Sequence, residues 1–215
     1  MKTYSEILEN YIPVKAVPQV IEWLELYKAE LKITRARTTK LGDYRPPIRV
    51  KYHKISVNHD LNKYHFLITL VHEFAHLTVW QKHKNKVKPH GDEWKSAFRE
   101  MMEPFLRGSV FPDDINIVLD QYLKNPSSST SDHKLLTVLR QYDKGKDYIT
   151  LEDIPANGEF RIHNGIVFKK LKNSGSVINA FGLDNKRMYL VSSDDESCAG
   201  RKIKFKNSPG NLHLP

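Results

Sequence analysis

The residues best equipped for chemistry are His72, Glu73 and His76, within Val71-His72-Glu73-Phe74-Ala75-His76-Leu77. On an α-helix, residues four apart share a face and are separated by about 6 Å of rise. His72 and His76 can therefore direct two imidazoles at one ion. Glu73 stands beside them, placed to reach a water on that ion rather than the ion itself. This is the zinc-peptidase arrangement of two histidine ligands and a carboxylate general base. The competing reading is a helix with two partly buried histidines and no metal.

Two histidines leave a catalytic zinc one protein ligand short. His65 and His83 lie on the same helical face, but each is seven residues from the nearer motif histidine. That is about 10 Å of rise, too far for one ion. The extended pattern H-E-x-x-H-x-x-G-x-x-H fails, because Val79 and Lys82 occupy its Gly and last His positions. His90 is the favoured third ligand. It sits in a Pro89-His90-Gly91 corner, where a loop residue can swing back over the preceding helix and Gly91 relieves the backbone. The alternatives are a carboxylate from the next helix (Glu93, Glu100 or Glu103) or no third ligand.

These residues must be positioned by a small α+β domain. The chain has 215 residues, enough for one ordinary domain and a small second one. Helices are expected over 4–11 and 18–30. Residues 31–38 alternate apolar and polar and read as a strand, 41–47 as a turn and loop. A second strand is expected over 48–57, bulged near His53-Lys54. The motif helix is placed at 61–84, capped by Asn58 or Asp60, and a basic exit, Lys82 to Lys88, follows it. Asp92 is expected to cap the next helix, whose stripe of Trp94, Ala97, Phe98, Met101 and Met102 reads as core. Another helix follows at 113–124.

Asn125 to Asp132 has linker composition, and a short helix is expected over 132–142. From about 148 onward the pattern is strands, with Asn164-Gly165 and Asp184-Asn185 as hairpin turns. The domain reading is thus 1–124, a linker with a short helix over 125–147, and a β-hairpin-rich C-terminal domain over 148–215. The single cysteine, Cys198, excludes an intramolecular disulfide and a cysteine-built zinc finger. No apolar leader is visible and no run approaches 18 apolar residues, so a cytoplasmic protein with no membrane association is expected.

The pair of motifs His72-Glu73-Phe74-Ala75-His76 and His90-Gly91-Asp92-Glu93-Trp94 resembles the SprT-like family, the Spartan-related zinc metallopeptidases. The resemblance covers roughly residues 15–110. It implies a zincin-like fold, one zinc ion held by His72, His76 and His90, and Glu73 as catalytic base. Family members include a protease that cuts proteins crosslinked to DNA. Many carry a C-terminal zinc ribbon. Residues 159–191 look similar to such a ribbon without its metal, since a four-cysteine site is impossible here.

Charge bears on the partner. The formal net charge is +9, and residues 1–110 hold 19 Lys and Arg against 12 Asp and Glu. Arg35, Arg37, Arg49 and Lys51 flank the strands, and Lys84, Lys86 and Lys88 follow the motif helix. Tyr44, Tyr52 and Trp80 are interleaved and could stack on unpaired bases. Solvated basic faces are the plainer explanation. With the resemblance, the expected function is a zinc peptidase acting on DNA-associated or DNA-crosslinked proteins, with single-stranded DNA as partner. The alternatives are a zinc hydrolase unrelated to nucleic acid and a non-enzymatic nucleic-acid-binding module. Tyr44, Tyr52, His59 and Arg49 are candidates for a second oxyanion donor, and the strand at 48–57 for pairing with an extended substrate.

Overall fold

A computed structural model of the chain describes residues 3–48, 51–127, 132–143, 154–161, 166–174 and 177–192. It is mixed α+β and divides into two compact units, residues 1–144 and 145–215. In the first unit the order is α1 (Tyr4–Leu8), a 3-10 turn (Val14–Ala16), α2 (Val17–Leu26), β1 (Ala29–Thr34), β2 (Gly42–Arg45), β3 (His53–Asn58), α3 (Lys63–His83), α4 (Asp92–Arg107), α5 (Asp113–Leu123) and α6 (His133–Arg140).

Helix α3 is the axis of this unit. Thirteen of its residues are buried, among them Phe66, Leu67, Leu70, Val71, Phe74 and Leu77. A helix apolar on nearly every side must be wrapped by its neighbours, and Trp23 of α2 and Trp94 and Phe98 of α4 join the same core. Its cap is Asn62, rather than Asn58 or Asp60. The Asn62 side chain accepts from the backbone N–H groups of Tyr64 and His65. Asn58 is spent inside the sheet, where its amide donates to the carbonyls of Arg37 and Lys40.

The sheet has the order β1-β3-β2, with β1 parallel and β2 antiparallel to β3. Two expectations are corrected here. Residues 42–45, expected in a loop, form a strand: Gly42, Asp43 and Tyr44 face Val57, Ser56 and Ile55. Pairing overrides the turn-like composition of Gly-Asp-Tyr. Among the described residues β3 begins at His53, not Ile48, and its register with β1 runs unbroken from His53 to Asn58, so there is no bulge there. Since β3 is central, both of its edges are taken; among the described residues the unpaired edge beside α3 belongs to β2.

Helix α6, expected within the linker, packs on α5 and sends Leu135 and Leu139 into the main core. It is tied to the start of α3 by Asn62, whose amide donates to the Leu139 carbonyl and the Asp143 carboxylate, both at 2.8 Å.

The second unit contains an antiparallel sheet of β4 (Glu159–Arg161), β5 (Val167–Ser174), β6 (Val177–Gly182) and β7 (Arg187–Ser192), ordered as in the chain. Ile154, Phe160, Phe168, Ile178 and Ala180 form its core. The β6–β7 turn contains Asp184-Asn185 as expected, with Lys186 at φ 54°. Strands β4 and β5 pair as a hairpin, but Asn164-Gly165 lies outside the described residues, as does Cys198.

Candidate metal centre

His72 and His76 lie one turn apart on α3, and His90 returns to them from the α3–α4 connection. The three Nε2 atoms converge: His72 to His76 is 3.2 Å, His76 to His90 is 2.9 Å, and His90 to His72 is 3.2 Å. Donor atoms around one tetrahedral zinc, with bonds of about 2.0–2.1 Å, stand roughly 3.3 Å apart. The trio fits one such ion. Among the described residues it is the group of three or more His, Cys, Asp or Glu side chains able to hold a metal ion. Glu100 instead accepts from Ser96, and Glu103 pairs with Arg107. His65 and His83 lie outside the cluster.

The route by which His90 reaches the site differs from expectation. His90 itself takes the left-handed backbone, at φ 58°, while Gly91 is extended at φ −71° and serves as the N-cap of α4 in place of Asp92. A non-glycine residue in that region carries a local cost. Here it turns the imidazole back toward α3. Gly91 instead lies in a tight space: a Cβ there would stand 3.1 Å from the Lys88 carbonyl oxygen.

Trp94 forms the wall of the site, a role beyond the core stripe in which it was read. Its ring centroid lies 4.6 Å from His72, 5.5 Å from His76 and 4.7 Å from His90. Phe98 stacks behind it at 5.1 Å. The signal was its place four residues after His90, one turn into the following helix.

Burial makes the imidazoles poor proton acceptors. It pushes His72 down to about 2, helped by His76 and His90, and His76 down to about 4. His90 is lowered for the same reason. All three are neutral at pH 7, the form that binds a metal.

Glu73 is buried, and burial raises its carboxyl to about 8, with the Asp43 charge adding to the rise. Arg37, Lys40 and a hydrogen bond from the Tyr44 backbone N–H oppose it. Gly42 on β2 leaves the room the carboxylate occupies, since a Cβ there would fall 2.8 Å from Glu73 Cγ.

Residues 19–116 match the model of the SprT-like family. Comparison with curated proteins and with solved structures returned no significant match. The family is associated with metallopeptidase-like activity. The matched segment contains all four of His72, Glu73, His76 and His90; it begins in α2 and ends in α5.

The basic candidates fall into two groups. Arg35, Lys51, Lys84, Lys86 and Lys88 are exposed. Arg37 is engaged within the sheet: it donates to Asn58 Oδ1 at 2.8 Å, to Ser56 Oγ at 3.1 Å and to the Leu41 carbonyl. Lys84 lies over the Trp80 ring at 3.9 Å, and Lys54 over Tyr52 at 5.2 Å. Arg49 lies outside the described residues. Tyr44 Oη and His53 Nδ1 share a hydrogen bond of 2.8 Å, and burial raises the Tyr44 hydroxyl and lowers His53. Among the described residues, no helix is long and apolar enough to cross a membrane.

Proposed function

We propose that this chain is a zincin-like zinc peptidase of the H-E-x-x-H class. The observation that supports this reading most is the convergence of three neutral imidazole nitrogens within 3.2 Å of one another, two from α3 beside the buried Glu73 and one from the α3–α4 connection. His72, His76 and His90 would hold the ion. Bound zinc supplies a lowered pKa for water and polarisation of a peptide carbonyl. A divalent ion held there would also favour the ionised form of Glu73.

Glu73 then takes a proton from the attacking water and returns it to the leaving amine. The Tyr44 N–H holds one carboxylate lone pair and fixes the orientation of the base. The free edge of β2 replaces the 48–57 strand as the place where an extended peptide could add by backbone pairing. Trp94 packs against all three imidazoles and Phe98 against His72 and Trp94, so aromatic rings wall one side of the site.

The proposed substrates are proteins associated with or crosslinked to DNA, with single-stranded DNA as partner. Support comes from the SprT-like match and from the exposed Lys51, Lys86 and Lys88. The test is cleavage of a DNA-crosslinked protein by zinc-loaded protein, with and without single-stranded DNA, beside Glu73→Gln. Activity that needs Glu73 and rises with DNA supports the reading. Zinc binding and cleavage indifferent to DNA would reduce it to a peptidase unrelated to nucleic acid. Bound zinc with no Glu73-dependent cleavage would leave a binding module.

A further inference from the structure

The inner face of α3 carries three buried polar atoms with no hydrogen-bond partner among the described residues: His65 Nε2, Thr69 Oγ1 and His72 Nδ1. Their spacings are four and three, so they follow one another along a single stripe of the helix. The stripe continues to His76. Buried polar atoms are nearly always bonded, and three orphans in succession on one face form a pattern.

Thr69 has a local escape that it does not use. The hydroxyls of Thr78 and Thr137 donate to backbone carbonyls of the preceding turn, Ala75 at 3.0 Å and His133 at 2.8 Å. The Thr69 hydroxyl makes no such bond. Side chains on a helix lean toward its N-terminus, so the His72 ring lies over the turn that carries Thr69. A ligating imidazole donates its other ring N–H to a carboxylate, a carbonyl or a water. The α4 rings packed on His72, Trp94 and Phe98, offer its Nδ1 no acceptor. Trp94 donates its indole N–H to the His72 carbonyl at 3.4 Å, and Phe98 is apolar.

We infer that Thr69 is a positioning residue for His72, acting through one buried bridging water. The water accepts the His72 Nδ1 proton and donates to Thr69 Oγ1; the Thr69 hydroxyl donates onward toward His65 Nε2. This order of donors holds His72 in the tautomer whose Nε2 lone pair faces His76 and His90. A water with two or more polar partners in a buried site is an ordinary structural element. The inference rests on the reading of His72 as a zinc ligand.

The experiment is zinc affinity, measured by chelator competition on the full chain, for wild type, Thr69→Val and Thr69→Ser. Valine removes the hydroxyl at nearly constant size. Thr69→Val is expected to weaken zinc about 10- to 100-fold, the usual effect of losing a partner behind a ligand. Thr69→Ser is expected to restore affinity close to wild type, and the melting temperature of metal-free Thr69→Val to equal or exceed wild type. Should Thr69→Val not fold, Thr69→Ala against Thr69→Ser gives the same contrast. Wild-type affinity in Thr69→Val overturns the inference alone, as does equal loss in the valine and serine variants. Failure of wild type to bind zinc overturns it together with the peptidase reading.

Discussion

Gly42 of β2 lies against the carboxyl group of Glu73 on α3, so closely that a Cβ at position 42 would stand 2.8 Å from Glu73 Cγ. The two residues are 31 positions apart and meet only because β2 takes the edge of the sheet over the motif helix. Backbone conformation does not demand glycine here; the space taken by the carboxylate does. Gly42→Ala is therefore expected to shift Glu73 without touching the imidazoles. A misplacement of about 1 Å in a catalytic group can cost roughly 100-fold in rate. The expected outcome is a 10- to 100-fold fall in kcat, with zinc stoichiometry and affinity unchanged. Unaltered kcat would show that Glu73 tolerates displacement.

Zinc should stabilise the folded protein. A ligand present at 100 times its Kd adds about 2.7 kcal/mol. For a unit of this size that corresponds to a rise in Tm of roughly 5–10 °C. Calorimetry without zinc and with free zinc held at about 100 times its Kd checks this. His90→Ala is expected to lose most of the rise, because it removes the ligand that closes the site. Glu73→Gln is expected to keep it. An identical rise in His90→Ala would mean that zinc is held elsewhere.

Much of the centre could be read from residue types and spacing, because its parts are local. Two histidines four apart on a helix need only the helix, and α3 was placed within two residues at its start and one at its end. The loop histidine at 90 needed one further step, the reversal between two helices. What could not be read depends on contacts between distant segments. Gly42-Asp43-Tyr44 looks like a turn by composition, and only its pairing with β3 makes it a strand. The cap moved from Asn58 to Asn62 because the sheet claims the Asn58 amide. Arg37 looked like a surface cation, yet Ser56 and Asn58 claim its guanidinium. Periodicity marked Trp94 as core without showing that the core at that point is three imidazoles.

The division among the cations leads to contrasting outcomes. Lys86 and Lys88 are exposed on the exit from α3, while Arg37 is built into the sheet. If the exit contacts phosphates, the double change Lys86→Ala, Lys88→Ala should lower the slope of log affinity against log salt by about 1.4 for single strands, at 0.7 per phosphate contact. Fold stability should be unaffected. Arg37→Ala should do the reverse, leaving the salt slope almost unchanged and destabilising the fold by about 1–3 kcal/mol through its unpaired acceptors. Titrations at several salt concentrations and urea melts measure the two. A salt slope unchanged by the double change would remove this surface as the phosphate contact.

His65 carries a share of the acid sensitivity of the first unit that is separate from the three site histidines. Its Nε2 is buried without a partner among the described residues, and burial lowers the imidazole from 6.5 to about 4 against an opposing pull from Asp143. The folded protein therefore refuses a proton that the unfolded chain accepts. Above pH 6.5 neither state is protonated and His65 has no effect on stability. Between 6.5 and about 4 the unfolded state binds more protons, so stability falls as the pH falls. The full loss is about 3 kcal/mol, at 1.36 kcal/mol for each tenfold change in proton affinity. Comparing His65→Leu with wild type isolates this share, because the three site histidines are common to both chains. Urea unfolding of the chelated proteins at pH 7 and pH 4.5 is the measurement, with chelation keeping metal release out of the difference. At pH 4.5 the variant should have lost about 2 kcal/mol less than wild type, relative to each protein at pH 7. Equal acid sensitivity in the two chains would mean that His65 gains its proton in the folded state as readily as in water.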